Sequence, residues 1–383
     1  MIAALRALRL GPHDELIVAD NSGAERVPEA DGVRVVRASA QASSYYARNE
    51  AAAAASGEWL FFTDSDCRPH ADVLDRYFDQ PIDRDVGAVI GEVEGVADQS
   101  ALVSRYARSR GHLAQEVHWR HPYRPWGVTA NLLVRRAAWE SVGGFLEGIR
   151  SAGDTEFSWR LQDAGWRLDY RPQALVDHAH RESVRRLVRQ AARYAAGRAW
   201  IMRRYPGSFR RPRLLRELAR SAAGAAVWTA TGRFERAAFK ALDGLYVGSQ
   251  TGAAILSNSP PAAARRQPGR VALLAGAFPD AGDPGAVAAA SAEPDALVEA
   301  IRRPVRVDRE AGRALRVFYS EDDGLARQLA ALAWLALRRP RALSRPRLAS
   351  TARRLVAAGV EDVRALHSER GGDAALLRNL VSR

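Results

Sequence analysis

The stretch Glu58-Trp59-Leu60-Phe61-Phe62-Thr63-Asp64-Ser65-Asp66-Cys67-Arg68-Pro69 limits the possible folds more than any other part of the chain. Trp59 to Phe62 is an apolar run short enough for one buried strand, and it stops at two carboxylates one residue apart, with a proline behind them. A strand that delivers acid to its C-terminal end fits an open α/β sheet, where ligands bind at that edge. Hard divalent cations held through substrate phosphates take one or two carboxylates plus water. The functional reading is a metal and diphosphate site. The plain alternative is a turn, because Asp and Ser favour turns and an isolated D-x-D is common; the triplet alone favours the turn.

The residues before it repeat the organisation. Met1 to Leu10 spaces Ala, Leu and Arg as a helix does, and Gly11-Pro12 stops it. Glu15 to Ala19 is a short apolar strand that runs into Asp20-Asn21-Ser22-Gly23, a second acidic strand end. A helix of this kind normally crosses over from a preceding strand, so the expected sheet lacks its first strand. Val33 to Val36 reads as another strand, and Ser43 to Ser56 as an Ala-rich helix that Gly57 closes.

After Pro69 the pattern predicts a helix over 70 to 80, a strand over Val86 to Val93 and a helix over Ser100 to Gln115. His118 to Trp126 is a proline-broken aromatic and basic loop, either a surface that grips an acceptor or a packed linker. Thr129 to Val134 reads as a strand, Arg136 to Val142 as a helix and Gly143-Gly144-Phe145 as a turn. Gly153-Asp154 opens a helix that Gly165 closes. The helix dipole would favour the ionised form of Asp154, although a simple N-cap is the commoner role for an acid there. Trp166 to Val176 is a last strand that runs into Asp177-His178-Ala179-His180, where an imidazole could ligate a metal or merely sit at the surface.

The formal net charge of +13 raises nucleic acid, membranes and anionic substrates as partners. Lys240 is the only lysine, however, and the arginine and alanine bias is what a GC-rich genome writes. No nucleic-acid reading motif is recognisable, so no nucleic-acid partner is expected. Arginine crowds the helices from Arg181 to Arg220, beside apolar stretches at Ala222 to Trp228 and Leu245 to Leu256. This suggests contact with a membrane surface or a lipid-linked anion, the alternative being a solvated face. Neither apolar stretch is long and clean enough to span. The single Cys67 excludes an internal disulfide and a cysteine-built metal site, and no secretory leader opens the chain. The expected place is cytoplasmic, peripheral at the inner face of the membrane. Ser257 to Gly269 reads as a linker, and Arg270 to Pro279 restarts like the first strand of a nucleotide-type fold. Helices are predicted at 291 to 302, 323 to 337 and 347 to 358, and a strand at Val363 to Leu366.

Residues 1 to about 205 resemble the family 2 glycosyltransferases of the GT-A fold. The resemblance rests on an ordered set: Ala19-Asp20-Asn21-Ser22-Gly23, Arg48-Asn49, Gly57-Glu58-Trp59-Leu60, Asp64-Ser65-Asp66, Thr129-Ala130-Asn131, Gly143-Gly144-Phe145, Gly153-Asp154 with Trp159-Arg160-Leu161, and His178. It implies an α/β GT-A nucleotide-sugar-binding sheet over 1–205, a helical extension over 206–256, a linker over 257–269 and a small second α/β domain over 270–383. Residues 270 to 370 faintly resemble the start of a GT-B glycosyltransferase lobe. The implied activity is metal-dependent, inverting transfer of a single sugar from a nucleotide-sugar donor to an acceptor hydroxyl. Asp154 matches the catalytic base, Asp20 and Arg48 the residues that hold the nucleotide base, and Asp64 the position beside the ribose and phosphates. Asp66 matches the ligand of a divalent cation, Mn or Mg, and His178, ahead of His180, the residue that closes that site. The acceptor is open: lipid-linked, a small glycan or a peptide.

Three departures stand out. The family's first strand is absent, Gly153 replaces a common Glu before the base, and Glu50-Ala51 replaces a common glycine after Arg48-Asn49. The Q-x-x-R-W pattern of processive enzymes is not found, which argues against a polymerising synthase. The missing strand motivates a second reading, a truncated transferase that acts as a binding or scaffold protein.

Overall fold

A computed structural model describes residues 2–22, 27–28, 30–210, 213–254, 256, 258, 271–293, 295–338, 348–358 and 360–381. The predicted linker 257–269 lies outside the described residues except for residue 258, and Gly23 also lies outside them. The chain divides into two compact units, Met1–Ala254 and Ile255–Arg383.

In the first unit a short helix, α1 (Ile2–Arg6), leads to β1 (Leu16–Asp20), which pairs in parallel with β2 (Val33–Arg37) from Leu16↔Val33 to Asp20↔Arg37. These two strands form a sheet of their own. Helix α2 (Ser44–Ala54) follows, with Ser43 at its N-cap accepting from the Tyr46 amide. Then comes β3 (Trp59–Thr63), with Leu60 and Phe62 buried, and the brief β4 (Cys67–Pro69), which the sequence pattern does not announce. The five-stranded sheet runs β3, β6 (Asn131–Arg135), β5 (Val86–Gly95), β7 (Arg167–His178), β4. Only β5 and β7 are parallel neighbours; the other pairs are antiparallel. This sheet is therefore mixed, with an antiparallel strand inserted beside β3.

Val89, Leu133 and Val176 from this sheet share a core with Val18 and Val33 from the small one, and Val73 and Tyr77 of α3 (Val73–Phe78) close it. Asn131 is buried within that core. Its amide donates to the carbonyls of Glu92 and Ala174 at 2.7 Å each, and it accepts from the Tyr77 hydroxyl at 2.7 Å. Every polar atom is used, as burial demands.

The helix expected over Ser100 to Gln115 is instead two: α4 (Leu102–Ser109) and α5 (Gln115–Trp119), divided by Gly111 at φ +58° and Leu113 at φ +74°. After α6 (Arg136–Ser141) and α7 (Gly153–Asp163), three long helices complete the unit: α8 (Val184–Arg204), α9 (Leu214–Ala230) and α10 (Phe234–Ala253). Leu242 of α10 enters a core with Val103, Tyr106 and Leu187, and Asp243 takes both guanidinium branches of Arg110 at 2.9 Å. The outer faces of α9 and α10 leave Leu215, Val227, Phe234 and Leu245 exposed. No helix among the described residues is long and apolar enough to cross a membrane.

The second unit is a four-stranded parallel sheet in the order β10 (Arg316–Tyr319), β9 (Leu297–Arg302), β8 (Val271–Ala277), β11 (Asp362–Ala365), with helices between the strands. The helix expected over 291 to 302 is wrong there, because Leu297–Arg302 is strand. Leu297, Val298 and Ala300 are all buried, the mark of a strand covered on both faces rather than of an amphipathic helix. Glu299, 1% exposed, escapes the expected cost of burial by pairing with Arg354 at 2.6 and 2.7 Å.

Candidate functional site

Asp64 and Asp66 follow directly from the end of β3, and the pairing of the neighbouring strands decides what they meet. Cys67 lies opposite His178 in the antiparallel β4/β7 register, and the Ala179 amide donates to the Asp66 carbonyl at 2.9 Å. This register puts the Asp66 carboxylate 3.6 Å from His178 Nε2, while its other oxygen lies 3.3 Å from Arg181. Burial raises the Asp66 pKa, but His178 and Arg181 outweigh it, and the carboxyl titrates below its ordinary value. His180 turns its ring toward Gly95, where an added Cβ would come within 2.6 Å of it. Burial and the neighbouring His178 pull its pKa down to about 4.

Asp64 accepts from Arg48 of α2, whose side chain is 14% exposed. Burial lowers the Arg48 pKa, yet Asp64 and Asp154 together overcome this and leave it raised. Arg48 thus ties the acidic strand end to the helix that carries Asp154. The next residue, Asn49, fixes α2 against the glycine turn. Its amide donates to the Phe145 carbonyl at 2.8 Å and its carbonyl accepts from the Phe145 amide at 2.9 Å. Gly144, at φ +73°, leaves room for that contact, since a Cβ would lie 2.6 Å from Asn49 Oδ1.

Asp154 stands in the first turn of α7, but it is not the N-cap. Ala152, at φ +66°, takes that place, and Asp154 accepts from Thr129 Oγ1 at 3.1 Å. Its pKa is raised, by burial first; Arg48 opposes the rise and Asp64 adds to it. The expected gain from the helix dipole is therefore overridden by desolvation. Gly153 is explained by Tyr45: the Gly153 amide donates to Tyr45 Oη at 2.9 Å, and an added Cβ would meet that ring at 2.5 Å. Behind Asp154, Glu156 and Arg160 form an ion pair with both side chains 0% exposed, and Arg160 also donates to the carbonyls of Val142 and Gly144. This pair locks α7 to the glycine turn.

Asp20 ends β1 at 2% exposure. It accepts from the Ser22 hydroxyl at 2.5 Å and amide at 3.0 Å, from the Val27 amide at 3.3 Å and from Arg37. The Ser22 bonds, ahead of those from Val27 and Arg37, hold its carboxyl far below the usual range.

One cavity of about 1550 Å³ is lined by all six predicted residues, Asp20, Arg48, Asp64, Asp66, Asp154 and His178. Small-ligand pockets measure roughly 300–1,000 Å³, so this one has room for two substrates. Among the described residues no group of three or more His, Cys, Asp or Glu could hold a metal ion alone. Asp66 and His178 nevertheless supply a carboxylate oxygen and an imidazole nitrogen side by side, which fits a hard cation whose remaining ligands are phosphate oxygens and water.

The sequence pattern marks α8 only as part of the arginine-crowded helices from Arg181 to Arg220. Gln190-Ala-Ala-Arg193-Tyr194 keeps the Q-x-x-R spacing with tyrosine in place of the tryptophan, and Gln190, Arg193 and Tyr194 all line the cavity. Tyr45 and Arg181 line it too, and no strand-end pattern would have found either.

Residues 59–242 match the model for glycosyl transferase family group 2. Pre-mycofactocin glycosyltransferase of Mycobacterium tuberculosis is 29% identical over 218 residues, 54% of this chain and 45% of that protein. Glycosyltransferase AglE of Haloferax volcanii is 28% identical over 177 residues, 44% of this chain and 57% of that protein. The chain thus spans about half the length of the curated relatives it matches. The solved mannosyltransferase PcManGT from Pyrobaculum calidifontis, in complex with GDP-Man and Mn2+, aligns over 92% of this chain and 81% of its own at 16% identity, with a TM-score of 0.37.

Proposed function

Residues 59–242 belong to the family 2 glycosyltransferases, and on that premise we propose that the protein moves a single sugar from a nucleotide-sugar donor to an acceptor hydroxyl, with metal dependence and inversion at the anomeric carbon. The observation that carries this reading is the convergence of Asp64, Asp66, His178 and Asp154 on one cavity, although more than a hundred positions separate the first from the last. Asp154 accepts the proton of the acceptor hydroxyl as its oxygen bonds to the anomeric carbon, and the bond to the diphosphate breaks on the opposite face. A carboxylate whose pKa is raised by burial is a stronger base than a free one. Thr129 holds it in position by its hydrogen bond.

Asp66 and His178 would hold the divalent cation, Mn or Mg, which when bound neutralises charge on the departing diphosphate. Arg181, 3.3 Å from Asp66, adds a second positive group at that place. Asp64 faces the ribose and phosphates, and Arg48 with Asp20 forms the nucleotide-base end. Asp20 reaches a base only by exchanging one of its present partners, so it also acts by holding Ser22 and Val27 in place. The exposed apolar residues of α9 and α10, with Arg216, Arg220, Arg233 and Arg236 exposed beside them, support placement at an anionic membrane surface and hence a lipid-linked acceptor, a small glycan or peptide being the other choices.

The separate β1/β2 sheet and the fully engaged Asp20 favour one competing reading, a scaffold that no longer holds donor. Melting the protein with a panel of nucleoside diphosphates and Mn2+ separates the two. A ligand at 100 times its dissociation constant stabilises by about 2.7 kcal/mol, and Asp66→Ala should abolish that gain. No shift with any nucleotide would establish the scaffold.

A further inference from the structure

Past Asp154 the cavity continues into a lobe that the chemistry above does not use. One wall is α8, which presents Leu187, Gln190, Tyr194, Arg198 and Ile201 at three- and four-residue spacing. Gly197 sets the position of that wall. An added Cβ there would lie 2.8 Å from Ser151 Cβ and 3.0 Å from Ala152 Cβ, so the helix backbone is pressed on the loop that carries Asp154 two residues later. Arg198, the next residue of the helix, lines the same cavity as Asp154.

The opposite wall is aromatic. His118 and Trp126 are stacked with centroids 3.9 Å apart and planes at 26°, and His121 lies 4.8 Å from Phe209. His118 Nδ1, His121 Nδ1 and Trp126 Nε1 are buried without a hydrogen-bond partner. Burial first, then the neighbouring His121 and Arg198, brings the His118 pKa down to about 4, so the imidazole is neutral and does not compete as a cation. Arg198 has no carboxylate partner among the described residues; its guanidinium rests 5.2 Å from the Phe209 ring centre. Arg198 is exposed on α8, and three buried polar atoms without a partner on an aromatic platform are costly unless a ligand satisfies them.

We propose that this lobe is the acceptor subsite and that the acceptor is an anion, its phosphate or carboxylate group paired with Arg198 and its body laid on the His118–Trp126 stack. The assignment rests on the transferase reading, because it needs a hydroxyl presented to Asp154. It also fits the charges of the cleft: Asp64 and Asp66 are paired with Arg48 and Arg181, whereas Arg198 has no carboxylate partner among the described residues and is left to meet an anion.

The test uses the full chain and three small probes in calorimetric titrations: phenyl phosphate, benzoate and the neutral phenyl β-D-glucoside. The expected result is at least tenfold tighter binding of one of the anionic probes than of the neutral one. Arg198→Ala should remove that preference, and Arg198→Lys should restore part of it. A preference for phenyl phosphate or for benzoate identifies the acid group. Nucleoside diphosphate with Mn2+ should bind Arg198→Ala as it binds the parent. Equal affinity for the charged and neutral probes, no binding of either anion, or an unchanged Arg198→Ala overturns the proposal. So does competition by nucleoside diphosphate, which would assign the cation to the donor. If nucleoside diphosphate fails to bind while the anionic probe still depends on Arg198, the transferase reading falls and the anion site stands.

Discussion

Replacing Asp154 with Asn separates the role of base from every other role this residue could have. The amide is isosteric and still accepts from Thr129 Oγ1, so the 3.1 Å contact survives. What is lost is the negative charge and the capacity to take a proton. Positioned general bases contribute roughly 10²–10⁴ in rate, which is about 2.7–5.4 kcal/mol of barrier at 1.36 kcal/mol per tenfold. Stability should move the other way. The folded-state pKa of Asp154 lies above its unfolded value, by burial first and then by the proximity of Asp64 against the pull of Arg48. An acid raised in this way disfavours folding once it is ionised: the penalty is absent below the unfolded pKa and grows to its full size as pH rises past the folded one. Asp154→Asn removes the penalty, so its melting temperature at neutral pH should equal or exceed that of the parent. The assay is nucleoside diphosphate release and sugar transfer with an active donor and acceptor pair, beside thermal melting with and without nucleoside diphosphate and Mn2+. Transfer within threefold of the parent would refute the assignment of the base. Loss of nucleotide binding together with activity would mean that Asp154 holds donor instead.

Gly153→Ala puts a methyl group within 2.5 Å of the Tyr45 ring; overpacking of this kind costs about 1–3 kcal/mol, and activity should fall with the displaced Asp154, both read by urea unfolding and turnover. Glu156→Ala leaves Arg160 buried without its carboxylate, and breaking a buried pair costs about 3–5 kcal/mol, so its urea midpoint should drop well below that of a surface Glu→Ala control. His118 titrates near 4 in the folded protein against an ordinary 6.5. Its contribution is complete above pH 6.5 and lost as pH falls toward 4, up to about 3 kcal/mol. His118→Phe should flatten the stability profile over that window.

Much of the site was legible because acids at strand ends are a local pattern: Asp20, Asp64 and Asp66 each follow a short apolar run. The contact of Asp66 with His178 was not derivable from the residues, because it depends on an antiparallel pairing by a three-residue strand with no periodicity of its own. The ionisation of Asp154 was misjudged for a related reason. The helix start is visible in the sequence, but the burial that outweighs the dipole comes from tertiary packing that no local pattern encodes. Arg193 and Tyr194 escape the Q-x-x-R-W pattern because tyrosine stands in its last place, yet both line the cavity. In the second unit, Leu297–Arg302 was misread because Ala and Glu lean toward helix, while the deciding fact, Arg354 beneath Glu299, lies 55 positions away.

Strands Leu16–Asp20 and Trp59–Thr63 each have one sheet neighbour among the described residues, and both border the cavity. Their main-chain amides and carbonyls on that side offer a template for an intruding extended segment, which would find hydrogen bonds and apolar walls ready. A mutation that frees either edge further invites copy-to-copy addition, and under the proposed function a donor bound in the cavity would compete with it.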